Sequence, residues 1–523
     1  MIARYPALLC LVLGALAALG FAPLELWPLT LGCFAAWLWL VHAAPTQRQA
    51  LWRGWLFGVG HFTISNNWIQ HAFDFQDKMP PVLGYGAVVA LALYLAVYPM
   101  AAAGLAWRMR ARRIDAGFVL IAGAAWTLAE LLRGWVFTGY AWNPLAVMWV
   151  PVQPVASLAA YVGTYALSGL TVTLAGALLL VPRRGLALAG IAAGLAVLVL
   201  AQTLSYRTSD SVRASLNAPR LRIVQPGIGQ DARGDEDSEP MLRSLIAQSG
   251  RPGPAPRLIL WPEGVVRDLV EDGYPERWYG WQALPPGALR RRLARVLGPR
   301  DVLLFGGNAL QFDARGELQT ATNSIYALDP AARLTGRYDK AHLVPYGEYL
   351  PLPWLLRPLG LARLVPGDYD FRPGPGPRGE TLGGFGLIGM QICYEIIFSG
   401  EVIDAAHRPR LLFNPSTDAW FGAWGPPQHF AQARLRAIEE GLAVVRATPT
   451  GVSGAIGPDG RVLGVVGSQG VADSGAGAVE LPLPPVRPAT LFARIGNWAA
   501  LIVTALLAGS GFALRWRRRY RAI

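Results

Sequence analysis

The chain has 523 residues, enough for more than one domain; 53% are hydrophobic, 19 are tryptophan, and the mean hydropathy is +0.32. That is too apolar for an ordinary soluble enzyme, and the apolar residues concentrate before residue 205 and after 495. The three cysteines (Cys10, Cys33 and Cys393) exclude a disulfide framework and no Cys/His spacing resembles a zinc site, while much of the net charge of +13 sits in arginine clusters flanking apolar runs, which is membrane orientation rather than a nucleic-acid groove.

Apolar runs cover residues 6–22, 26–44, 54–73, 82–107, 117–138, 158–181, 185–204 and 495–514. Each approaches the ~20 residues that cross a hydrocarbon core, so eight transmembrane helices are predicted. The first lacks a convincing signal-peptide cleavage site and leads, through Phe21 to Pro28, into a second run as a hairpin. Arg4, Arg48 with Arg53, the cluster Arg108, Arg110, Arg112 and Arg113, then Arg183 with Arg184, and Arg515 to Arg521 fall in alternate loops; the opposite loop 74–81 carries Asp74, Asp77 and a single Lys78. Both termini are therefore predicted to be cytoplasmic and the large insert before the last span extracytoplasmic. Glu130 and Arg133, at i, i+3 spacing, are expected to form a local ion pair near the interface. The loop 139–154, with Trp142, Asn143 and Trp149, reads as an interfacial cap.

The organisation predicted is a membrane domain at 1–204 with seven spans, a linker at 205–220, an α/β domain at 221–481, a Pro-rich linker at 482–494, and an eighth span with a basic tail at 495–523. Within the α/β domain, strand-like runs recur at 221–224, 258–261, 302–305, 324–328, 387–392, 411–413 and 443–447, with helical stretches near 239–249, 287–298 and 427–441.

Three strand ends carry reactive groups: Trp261-Pro262-Glu263, then Tyr338-Asp339-Lys340 leading to Glu348, and Gln391-Ile392-Cys393-Tyr394-Glu395. Singly, Glu263 can cap a helix, Lys340 can be a solvated cation and Cys393 can be packing. Jointly they supply what a thiol nucleophile needs, a base and a cation or N–H for an oxyanion. Only two of the 47 basic residues are lysines, Lys78 and Lys340, so arginine serves almost wherever a cation suffices.

The order Glu…Lys…Cys at strand ends, with Asn414 to Gly422, Pro427-Gln428-His429 and an arginine-bearing helix at 433–439, resembles the nitrilase superfamily of carbon–nitrogen hydrolases. That resemblance implies an αββα sandwich with a Glu263–Lys340–Cys393 triad, supported by Glu348, Tyr394 and Glu395. Such a domain between the seventh and eighth of eight spans, with Phe21 to Pro28 and the Trp126…Glu130…Arg133-Gly134 pattern, resembles the apolipoprotein N-acyltransferase family. The family implies transfer of an acyl chain from a phospholipid to the α-amine of the N-terminal cysteine of a diacylglyceryl apolipoprotein, through a thioester on Cys393. Glu263 would be the base and Lys340 the oxyanion donor, with no cofactor and no metal. It also implies a multi-pass protein of the bacterial cytoplasmic (inner) membrane whose catalytic domain is periplasmic, a monomer whose partners are the bilayer and its two lipid substrates, with no nucleic acid. Gly234 and Pro449 depart from the family's usual tryptophan and asparagine.

The apolar stretch Leu352 to Leu364 suits an arm at the bilayer interface, and Trp278, Tyr279, Trp281 and the loop Trp420–Trp424 can serve likewise. One rival is a membrane-tethered nitrilase-type amidase acting on small amides or nitriles, which would not need eight spans. Another is a transporter or receptor, which predicts buried charges along several spans and a repeat between halves; neither is visible.

Overall fold

A computed structural model describes residues 5–75, 79–181, 218–229, 238–359, 363–364, 370–467 and 475–520. The expected span at 185–204, Arg183 and Arg184, Lys78, Gly234 and most of the linker 205–220 lie outside the described residues.

The first half is helical. α1 (Pro6–Ala17) and α2 (Trp27–His42) each carry proline in the first turn, where its missing N–H has no helical partner anyway. α3 (Gln47–Ser65) is capped by Thr46, whose side chain accepts from Gln49 N. The apolar run expected to continue to residue 73 leaves the α-helix at Asn66, whose amide bonds to Phe62 O at 3.0 Å, and goes on as a 3-10 helix, Asn67–Phe75. α4 (Leu83–Leu95) and α5 (Val97–Arg108) divide one apolar run just ahead of Pro99, which has no N–H to donate back into the preceding turn. α6 (Ala116–Arg133), capped by Asp115, and α7 (Ala159–Leu178) follow. Among the described residues four stretches are long and apolar enough to cross a bilayer: Leu83–Arg108, Ala116–Arg133, Ala159–Leu178 and Trp498–Trp516. The helices Pro6–Gly20 and Trp27–His42 are apolar but shorter.

Two expectations for this half are corrected. Glu130 and Arg133 make no ion pair among the described residues. Glu130 Oε1 accepts from Trp126 Nε1 and Leu145 N, both at 2.9 Å, and Arg133 donates to the carbonyls of Tyr140 and Trp142. The reason is that the loop after α6 folds back and offers backbone partners. That loop is not an interfacial cap: Trp142 and residues 145–150 are buried, the latter in the core of the bundle.

The second half is a sandwich of two six-stranded sheets. The first, ordered β12-β1-β2-β3-β4-β5, contains β1 (Arg220–Gln225), β2 (Arg257–Leu260), β3 (Val302–Phe312), β4 (Leu318–Leu328), β5 (Leu334–Asp339) and β12 (Gly477–Pro482). The second, ordered β11-β10-β9-β8-β7-β6, contains β6 (Gly379–Leu382), β7 (Gly386–Met390), β8 (Leu411–Pro415), β9 (Ala443–Ala447), β10 (Gly454–Ile456) and β11 (Val462–Val465). β1-β2-β3 and β7-β8-β9 run parallel, and these apolar strands are buried on both faces. Leu221, Ile223, Leu258 and Leu260 pack toward the second sheet's Ile388, Met390 and Phe413. On the outer face, Val224, Ile259 and Leu303 meet α8 (Glu239–Ser249) and α9 (Pro286–Ala294). The strands that the apolar pattern missed (β5, β6, β10, β11 and β12) are short, Gly-bearing or partly exposed.

α10 (Gly425–Glu440) belongs to both halves. Phe430, Ala433 and Ala437 join the sandwich core, whereas Ala431, Leu435 and Ile438 join the core of the bundle. Two apolar stripes at helical spacing thus clamp the helix between the second sheet and the membrane helices. α11 (Trp498–Tyr520) closes the chain and packs on α6 and α7.

Candidate active site

Glu263 follows β2 through Trp261-Pro262, and its turn lies directly against β3. A Cβ on Gly306 would fall 2.4 Å from Gly264 N and 2.7 Å from Glu263 Cα, so only glycine permits this approach. The Glu263 side chain is buried and tied at both oxygens: Oε1 accepts from Asn323 Nδ2 at 2.8 Å and Oε2 from Thr417 N at 2.8 Å.

Lys340 follows β5, held in register by its own N–H to Asn323 O at 2.9 Å. The residue is 1% exposed, and its ammonium is 2.9 Å from Glu348 Oε1 and 3.8 Å from Glu263 Oε1. Burial opposes the cation, but Glu348, Glu263 and Cys393 outweigh it and raise the pKa above the usual lysine range. Glu348 is held by Val344 N at 2.9 Å and by the same Asn323 amide at 3.1 Å. Asn323 Nδ2 therefore bridges the two carboxylates that flank the lysine.

Cys393 stands where β7 gives way to a 3-10 helix, Cys393–Ile397, with φ +52, a left-handed conformation that costs a non-glycine residue about 1–3 kcal/mol. Such strain persists only where the surroundings over-determine the backbone. Here Asn414 Nδ2 and His429 Nε2 both reach Cys393 O at 3.1 Å. Ser416 Oγ is 3.3 Å from the sulfur. Burial, and next the Glu263 carboxylate, push the thiol up to about 12, while Lys340, Ser416 and Arg446 pull it down. At neutral pH the group is a thiol that needs a base, and Glu263 is the carboxylate whose field it feels most.

Glu395 lies behind these three residues. It accepts from Ile392 N (2.6 Å), Ala341 N (2.7 Å), His342 N (2.9 Å) and Tyr338 OH (3.0 Å), fastening the lysine's loop to the cysteine's elbow. Burial pushes its pKa up to about 7 against those donors and the lysine charge. Tyr394 is buried and packs edge-on against the rings of His342 and Phe398.

Sequence reasoning missed Asn323, because Thr322-Asn323-Ser324 reads as the polar lead into an apolar strand. It also left Arg446 unremarked. This buried guanidinium meets Asn414 Oδ1 at 2.6 Å, His429 Nδ1 at 2.9 Å and the Asp418 carboxylate. Of the aromatic loops, Phe421 packs on Trp68 and Trp142 of the membrane half and Trp420 on Phe75, while Trp354 and Leu352, in the expected arm, are exposed. Trp278 packs on Phe312 and Tyr279 on Tyr274, leaving Trp281 exposed.

Comparison with known proteins places two families along this chain. The Apolipoprotein N-acyltransferase N-terminal domain matches residues 13–177, and Carbon-nitrogen hydrolase matches residues 239–472. An apolipoprotein N-acyltransferase of Rhodopseudomonas palustris is 32% identical over 96% of this chain and 94% of its own length. One of Caulobacter vibrioides is 33% identical over 95% and 93%. This chain belongs to the apolipoprotein N-acyltransferase family. Among solved structures, an amidase of Nesterenkonia AN1 from the nitrilase superfamily is 18% identical, covering 52% of this chain and 94% of that one with a TM-score of 0.34. At one departure from the family pattern, the carbonyl of Pro449 accepts from Gly227 N at 3.0 Å and so joins loops of the two sheets.

Proposed function

We propose that this acyltransferase moves an acyl chain from a phospholipid to the α-amine of the N-terminal cysteine of a diacylglyceryl apolipoprotein, with Glu263, Lys340 and Cys393 as the triad. The observation that carries the reading is the meeting of three strand ends around one buried, strained thiol, on a domain clamped to a membrane bundle by α10. Glu263 takes the Cys393 proton as sulfur attacks the ester carbonyl. Lys340 Nζ and the backbone N–H of Tyr394 receive the oxyanion, and Glu263 returns the proton to the departing lysophospholipid alkoxide, leaving a thioester. The apolipoprotein amine then attacks the thioester carbonyl. Its proton passes through Glu263 to the leaving thiolate, and the free thiol is restored. Glu348 and Asn323 hold the lysine and the base apart, and Tyr394 and Glu395 hold the elbow.

The same reading divides the chain into a seven-span domain at 1–204, a catalytic domain at 221–481 between linkers at 205–220 and 482–494, and an eighth span with a tail at 495–523. Arginine asymmetry puts the catalytic domain on the periplasmic face of a bacterial inner membrane. The exposed Leu352 and Trp354 would dip into the lipid. The enzyme would act as a monomer, because both substrates arrive in the bilayer that holds it.

The deciding measurement is intact mass of the purified protein after incubation with phospholipid. One acyl adduct is expected on Cys393, discharged by an apolipopeptide and absent in Cys393→Ala. Steady hydrolysis of small amides without a lipid-derived adduct, or an adduct that survives Cys393→Ala, would overturn the assignment.

A further inference from the structure

We infer that His429 is a positioning residue that fixes the peptide plane between Cys393 and Tyr394, and through it the oxyanion donor of the acyl-transfer site; this rests on Cys393 being the acylated residue. His429 lies in the second turn of α10 and is wholly buried. Its Nδ1 is 2.9 Å from an Arg446 nitrogen. A guanidinium only donates, so Nδ1 accepts and the ring proton lies on Nε2. Nε2–H is 3.1 Å from Cys393 O and donates to it. Asp418, 3.5 Å from Nδ1, is engaged by the same arginine. Burial, and then the Arg446 charge, push the imidazole down to about 4, so this tautomer persists across the working range.

A trans peptide is planar, with its C=O and N–H pointing opposite ways. Holding Cys393 O from one side therefore aims the Tyr394 N–H to the other, the side on which an acyl oxygen bound next to Sγ needs a donor. Asn414 shares the task, but it also bonds Gln391 O at 2.7 Å and is itself held by Arg446. His429 alone brings a donor from the helix that touches the bundle. Its seat comes from the membrane half: Trp142 Nε1 donates to Gln428 Oε1 at 2.8 Å, and the indole lies 5.2 Å from the imidazole.

The test uses the full-length protein in phospholipid–detergent micelles with three variants. His429→Gln places an amide donor where Nε2 stood. His429→Asn is polar but too short to reach, and His429→Leu removes the donor. Formation of the acyl adduct on Cys393, followed by intact mass, is expected to slow about a hundredfold in the Asn and Leu variants and to stay within about fivefold of the parent in the Gln variant, the size of losing one oxyanion donor. The KM for phospholipid should hold. Alkylation of Cys393 by iodoacetamide, which forms no oxyanion, is expected to hold within about twofold in all three. Equal acylation by the Gln and Asn variants would overturn the inference, as would alkylation falling in step with acylation. Should the Leu variant fail to fold, the Gln/Asn pair decides; if neither of those folds, His429 serves the fold and the inference fails. A parent protein without any adduct would instead sink the assignment of Cys393.

Discussion

Among the buried clusters of opposite charge in the described residues, one lies around Glu263 and Lys340 and another where α10 meets α7. At the junction, Glu439 is used up: it accepts from Thr164 N, Ser399 Oγ and Arg436, and Arg436 also donates to Thr164 Oγ1. At the triad, Glu263 takes a single neutral donor on each oxygen, and the nearest cation stands off at 3.8 Å, drawn toward Glu348 instead. The first arrangement is a clamp. The second leaves one carboxylate without a close cation and keeps a lysine charged. Both carboxylates are buried, Glu439 completely and Glu263 nearly so, and what separates them most is how fully each is claimed by a cation.

The widest separation is expected between Glu263→Gln and Glu439→Gln. The first should lower acyl-adduct formation by about 10²–10⁴, the range for removing a general base, with the apparent Tm unchanged. The second strands a buried guanidinium, a loss of about 3–5 kcal/mol that a thermal unfolding scan reads as a marked drop in Tm. A Glu263→Gln variant that unfolds early, or a Glu439→Gln variant as stable as the parent, would break the contrast.

Lys340→Arg sharpens it from the cation's side. A guanidinium is a planar fork suited to two-point pairing, and it would clamp Glu263 in such a pair. Acyl transfer should fall about 10²–10³, nearly as far as in Lys340→Ala. Activity within a few-fold of the parent would remove the lysine from the site. The chain's near-exclusive use of arginine elsewhere makes the swap informative.

The smallest effect is on the free thiol. With its pKa pushed up to about 12, Cys393 should react with iodoacetamide about tenfold faster per pH unit through the neutral range, without a plateau. Glu263 raises that pKa and Lys340 lowers it. Removing the carboxylate in Glu263→Gln should therefore speed alkylation while slowing acylation, and Lys340→Ala should slow both. Alkylation unchanged in Glu263→Gln would mean that the carboxylate does not face the thiol.

Glu263 and Cys393 are legible because each follows an apolar strand, a pattern local in the chain, whereas Lys340 follows the polar, partly exposed β5 and is legible only from its own neighbours. Asn323 was hidden among hydroxyl residues, and its importance comes from two carboxylates that arrive 60 residues before it and 25 after. Arg436 and Glu439 stand in the sequence only as members of an arginine-bearing helix, and Glu130 with Arg133 reads as an interfacial pair. Spacing alone reports that such side chains can touch, not what else is packed against them. Their partners depend on how the two halves dock, through contacts such as Trp142 to Gln428, 286 residues apart. The membrane runs were found by composition, but where Asn66 or Pro99 interrupts a helix depends on single side chains within an apolar background.

The break in α7 at Gly163 bears on how the protein is made. Gly163 takes φ +74, with the Phe492 ring standing where a side chain would be, and the N–H of Thr164 is directed to Glu439 instead of back along the helix. An unsatisfied backbone donor in or near hydrocarbon is unfavourable by several kcal/mol. During synthesis its acceptor does not exist until 275 further residues have left the ribosome. The bundle is therefore finished from outside itself and late: the nascent helix waits, one donor short, for a catalytic domain that has already folded far enough to present α10. A chain truncated before residue 439 would lack that acceptor and leave the break in α7 without its partner.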